Sequence, residues 1–145
     1  MNPQTSPEIH YDGVHCAFAI RRPAPDVVVL RISGTDVGEL GDAPMRGLDD
    51  CLAGAAPLQF FIDARDTRGA SIDVSGEWAV WLSARKQRFR RISLLAGSRY
   101  IEVTADFVRR FAALEGLMRI YTDPAAFDAD LEEAIQPQMD TDAHG

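Results

Sequence analysis

The chain has 145 residues, 46% of them hydrophobic and 26% charged, the balance of a globular protein long enough to bury a core as one domain. Its formal net charge of −7 argues against nucleic acid as a partner, because a phosphate backbone demands a positive surface. No apolar run approaches the roughly 20 residues that cross a bilayer as a helix. The polar start "MNPQTSPEIHYDG" lacks the basic-then-apolar order of a secretory leader. A cytoplasmic protein without a transmembrane segment is the expectation.

Residues 1–7 and 137–145 are expected to be flexible termini around a single domain over 8–136. The runs "HCAFAI" over 15–20 and "VVVLRIS" over 27–33 predict two strands. The prolines of "RRPAPD" between them break any continuous element, so the pair predicts a hairpin with a longer loop. Glycine-rich "GTDVGELGD" predicts a loop. Asp42 can then cap a helix that has Pro44 in its first turn. Met45, Leu48, Cys51 and Leu52 recur at helical spacing and supply its buried stripe. "LQFFID" over 58–63 is a short apolar run and predicts a central strand. A loop follows.

The spacing of Trp78, Trp81, Leu82, Arg85 and Phe89 predicts a helix that opens near Ser75, with Ser75 as its cap. "RISLLAG" over 91–97 predicts the next strand. Tyr100, Val103, Phe107, Phe111 and Leu114 recur every three or four residues and predict a helix with that stripe buried. "MRIYT" over 118–122 predicts the last strand. Asp123 and Pro124 open a final helix with the stripe Phe127, Leu131 and Ile135. The order ββαβαβαβα predicts an α/β fold: a mixed, mainly parallel sheet of four to five strands with four helices.

Catalytic signals are sparse. His10, His15 and His144 lie near no recognisable nucleophile motif, and "SGTDVGELG" lacks the spacing and lysine of a phosphate-binding loop. Asp63, Asp66 and Asp73 surround the end of the third strand, where open α/β sheets gather ligands. Three carboxylates suit a hard cation such as magnesium, and they equally suit turns, where Asp bonds backbone amides. No fourth oxygen ligand is indicated, so the turn reading is preferred and neither metal nor cofactor is expected. Cys16 and Cys51 match neither a zinc site nor a redox pair and read as free thiols. The basic run Arg85, Lys86, Arg88, Arg90 and Arg91 is explained by the helix C-terminus and by stems laid over apolar surface.

The strand "FFID" ending in Asp63, followed by "DVSG" (Asp73, Val74, Ser75, Gly76) at a helix entrance, resembles the STAS domain. This is the family of sulfate-transporter and anti-sigma-factor-antagonist domains, SpoIIAA-like in fold. Its signature is Asp-Ser-Ser-Gly opening a helix after a strand and a short loop, and the resemblance covers about residues 14–135. It implies a non-catalytic bacterial regulatory module that binds another protein, an anti-sigma-type kinase or a sensory assembly. The contact surface would comprise Asp63, Asp66, Asp73, Val74, Ser75 and Gly76. Val74 replaces one serine of the motif and cannot be phosphorylated. Ser75 remains the candidate phosphorylation site, and the usual phosphoserine switch is expected to be missing. Homodimerisation is left open. A second reading is a small lipophilic ligand bound in an apolar pocket near Trp78, Trp81, Phe107 and Phe111. A third is a hydrolase or metal enzyme on the Asp cluster.

Overall fold

Apolar and β-branched runs become strands, and the glycines and prolines between them become turns. The computed structural model describes residues 8–54 and 57–144, with side chains as far as residue 136. The elements are β1 (Ile9–Asp12), β2 (Cys16–Ala24), β3 (Val27–Asp36), α1 (Ala43–Cys51), β4 (Leu58–Ala70), α2 (Ile72–Arg85), β5 (Phe89–Ala96), α3 (Arg99–Phe111), β6 (Met118–Tyr121) and α4 (Pro124–His144). Among the described residues six strands form one sheet in the order β1-β2-β3-β4-β5-β6. The first three pair antiparallel and the rest pair parallel. The mixed, mainly parallel sheet is the one expected, with one more strand. Ile9 pairs with Ile20 and Asp12 with Ala17, so a polar stretch gains strand structure from an edge that was free to accept it.

Two loops are shorter than the sequence predicts. The β2–β3 turn is confined to Pro25 and Asp26, because a bulge between Arg21 and Ala24 absorbs Pro23 within the strand. Beyond Asp63 no loop follows: β4 continues to Ala70. Ser33 of β3 pairs with Asp66, Gly34 with Thr67 and Thr35 with Gly69, across two irregularities. The Thr67 hydroxyl donates to the Ile32 carbonyl at 2.8 Å, which fastens the extension.

Helix entry is also displaced. The cap of α2 is Ser71, whose side chain accepts from the Val74 amide at 3.2 Å. Ser75 is therefore not the cap. It lies within the first turn, and its hydroxyl donates to the Ser71 carbonyl at 3.0 Å. Ser98 caps α3 in the same way, accepting from Ile101. Residues 137–144, expected as a tail, continue the backbone of α4. The expected flexible segment 1–7 lies outside the described residues.

Two cores result, one on each face of the sheet. The larger packs α1, α2 and α3 against Phe18, Ile20, Leu30, Phe60, Ile62 and Ile92. The smaller packs α4 through Phe127 against Phe61, Leu95 and Tyr121. In α3 the buried stripe is Ile101, Ala105 and Val108, not the predicted one. Tyr100, Val103, Phe107 and Phe111 face outward, and only Leu114 of the expected set is buried.

Candidate functional site

The three aspartates at the strand end do not converge. Asp63 binds Arg65, Oδ1 to Nε at 3.0 Å, and the same guanidinium reaches Asp128 of α4 at 2.5 Å. The Asp128 and Asp63 carboxylates push the pKa of Arg65 up, so this clasp stays charged and ties α4 to β4. Asp66 lies 3.6 Å from Arg31. Asp73 is exposed in the first turn of α2. Among the described residues no group of three or more His, Cys, Asp or Glu side chains could hold a metal ion. The basic run is likewise engaged. Arg85 pairs with Asp49 and stacks on Trp81, Lys86 donates to the Ala112 carbonyl, Arg88 to the Leu52 and Gly54 carbonyls, and Arg90 pairs with Asp26. Arg91 lies over the Phe61 ring. Cys16 and Cys51 are both free thiols.

The motif residues split between inside and outside. Val74 and Ser75 are 5% and 6% exposed. They wall a cavity of about 90 Å³ between the sheet, α2 and α3, which Trp78, Ile62, Leu94, Ile101 and Val108 also line. The pocket proposed from sequence is regrouped. Trp78 lines the cavity, whereas Trp81 is buried against Phe60 and Phe89, its ring edge-on to Trp78 at 5.8 Å. Phe107 and Phe111 line no part of the cavity; they pack on each other, 5.7 Å between centroids, on the outer side of α3.

Asp73 and Gly76 border an open groove on the opposite, outer side of α2. Its other walls include Met45, Ile72, Val80, Trp81 and Phe111. Ile72 is 86% exposed, Val80 61% and Phe111 64%. A contiguous apolar strip thus crosses from α2 to α3 beside Asp73 and Gly76. Sequence reasoning missed Ile72 and Val80, which sit outside the stripe it took as buried. It also missed Asp36, which strand alternation places on the face of Leu30 and Ile32. Reading "GTDVG" as loop concealed that periodicity.

Next to this site Glu39 ties the segment after β3 to the β1–β2 turn. The Glu39 carboxylate accepts from the amides of Val14, His15 and Cys16 at 2.8, 2.6 and 3.0 Å. Successive amides of this kind form an anion-binding concavity. The His15 amide first, then those of Val14 and Cys16, hold the Glu39 carboxyl below its ordinary range. A carboxylate with a lowered folded pKa stabilises the fold above its unfolded value, about 4.3 for Glu. That contribution disappears as pH falls through the lower folded value. The Tm difference between wild type and Glu39→Gln should therefore be full at neutral pH and shrink below about pH 4. A difference that stays constant down to about pH 2.5 would contradict this.

No family model matches the sequence, and no curated protein matches it. Solved structures do. One is an uncharacterized protein of the DUF3478 family with a SpoIIAA-like fold from Shewanella loihica PV-4. It has a TM-score of 0.57 at 18% identity, over 80% of this chain and 94% of that one. Another is the anti-sigma factor antagonist SpoIIAA in its unphosphorylated form, with a TM-score of 0.55 at 16% identity, over 79% of this chain and 96% of that one. The chain has a SpoIIAA-like fold, as the STAS resemblance implied.

Proposed function

We propose that the chain is a non-catalytic regulatory module that binds another protein through the outer face of α2 and α3. The observation that supports this reading is the exposed apolar strip of Ile72, Val80 and Phe111 around the groove beside Asp73 and Gly76. Monomeric proteins seldom leave such patches uncovered, and they mark interaction surfaces. Asp73 and Glu77 are exposed along the groove. A fitting partner presents apolar side chains flanked by Lys or Arg. The net charge of −7 works against an anionic bilayer as the occupant. An anti-sigma-type kinase or a sensory assembly in a bacterial cytoplasm is the partner class proposed.

In this reading binding is constitutive. Val74 has no hydroxyl, and the Ser75 hydroxyl is buried and already donates to Ser71. A kinase would have to unwind the first turn of α2 to reach it. The likeness to SpoIIAA supports the fold part of the proposal and leaves the regulatory part to experiment.

The test is affinity capture from an extract of the source organism. Val80→Asp and Phe111→Asp should each cut recovery of the bound protein by tenfold or more, about 1.4 kcal/mol. Arg119→Ala, on the opposite face over Tyr121, should not. Equal recovery with all variants sinks the reading. Self-association that the same two variants abolish would make a second copy the occupant instead.

A second reading is a small-ligand binder. The apolar cavity beside Trp78 favours it.

A further inference from the structure

Apart from the Trp78 indole N–H, the cavity between α2, α3 and the sheet is apolar except at four side chains. Three of these are satisfied within the protein. The Thr67 hydroxyl donates to the Ile32 carbonyl, that of Ser75 to Ser71, and that of Thr104 to Tyr100 at 2.9 Å. The fourth is Asp36, the last residue of β3 and only 7% exposed. Its Oδ1 accepts the Gly38 amide at 3.0 Å. Among the described residues that is the side chain's one hydrogen bond, and no cation pairs with it. Asp36 and Glu39 both act on the nearby Cys16: burial first, then these two carboxylates, push its thiol up to about 11. Buried carboxylates are ordinarily matched by a cation or by several donors. Here the fold supplies one amide to a carboxylate that lines an apolar cavity.

We propose that the cavity binds a small aliphatic amine, with its ammonium on the Asp36 carboxylate and its chain against Trp78 and Ile101. This rests on the ligand-binding reading of the cavity. Size sets the class. A cavity of about 150 Å³ accepts benzene, so about 90 Å³ suits a chain of about four carbons. Asp36 also borders a shallow recess beneath Gly38 and Leu40, about 10 Å³ in volume. That is room for about one water. An anionic head is repelled by Asp36, and an alcohol gains a hydrogen bond without the charge.

The test is a titration of the ¹⁵N-labelled protein with n-butylammonium, n-butanol and n-butyrate. The Gly38 and Val74 amides and the Trp78 indole N–H are the reporters. Butylammonium should shift all three saturably, at least tenfold more tightly than butanol, and butyrate should leave them in place. Asp36→Asn keeps a carbonyl for the Gly38 amide and should weaken butylammonium at least tenfold while leaving butanol unchanged. If butanol binds wild type as tightly as the amine, the amine assignment falls and the ligand cavity stands. If butylammonium binds Asp36→Asn as tightly as wild type, the assignment to Asp36 falls. If no probe moves the reporters, the ligand reading itself falls. The comparison of amine with alcohol uses wild type alone, so it decides the matter even if Asp36→Asn fails to fold.

Discussion

Phe60→Ala is expected to lower the unfolding free energy by about 3–5 kcal/mol, the range for emptying a buried phenylalanine site. Phe60 lies on the central strand β4 and is 1% exposed. It stacks on Phe89 at 5.2 Å and tilts against Trp81 at 6.3 Å. The site cannot easily collapse, because β4 is pinned between β3 and β5 around Phe60, over 58–64. Small domains total about 5–15 kcal/mol, so this single change removes a large share. Phe111→Ala should stay within about 0.5 kcal/mol, as exposed positions do, since Phe111 is 64% exposed. Urea unfolding of the two variants beside wild type checks both. A loss below about 1 kcal/mol at Phe60, or above it at Phe111, would contradict the packing described.

That contrast also shows where the sequence could be read. The central strands were legible because "VVVLRIS", "LQFFID" and "RISLLAG" are apolar runs of strand length, as strands covered on both faces are. The existence of α3 was legible; its buried side was not. Tyr100, Val103, Phe107 and Phe111 form one helical stripe, and Ile101, Ala105, Val108 and Ala112 form another beside it. Bulk favours the first, yet the second is buried. Small residues let a helix lie close against the sheet and α2, and Ala105 and Ala112 occupy that contact. The aromatic stripe then remains outside, where it contributes to a surface and not to a core.

The extension of β4 was illegible for a different reason. "ARDTRGA" carries charges and a glycine, which locally favour a loop. Its strand structure comes from pairing with the end of β3 through irregular register, a tertiary gain that no local pattern encodes. The stretch Asp73 to Gly76 was read as a helix entrance, but the surroundings of Val74 and Ser75 had to be seen in place. Only the structure shows Ser71 as the cap, with Val74 and Ser75 turned inward.

Gly34→Ala is the second change with a large expected effect, and it reaches the candidate site through the backbone. Gly34 has φ of 83°, a conformation that costs an L-residue about 1–2 kcal/mol. A methyl group there would also lie 2.2 Å from the His15 carbonyl oxygen. That oxygen accepts the Thr35 amide at 2.9 Å, so it cannot retreat without loosening the β2–β3 pairing. Overpacking of this kind costs about 1–3 kcal/mol, and the two effects together come to about 2–5 kcal/mol. For a chain of this length, Tm should fall by at least about 6 °C. Two residues further on, the Asp36 carbonyl accepts the Ser71 amide at 3.0 Å, and Ser71 caps α2. A displaced Gly34 therefore disturbs both the carboxylate in the cavity and the entrance of the helix that borders the groove. Gly34→Ala, studied below its own Tm, should lose preference for butylammonium over butanol, whereas Phe111→Ala should keep it. A Tm within about 2 °C of wild type, with amine preference intact, would mean that the β3 end relaxes freely and does not fix Asp36.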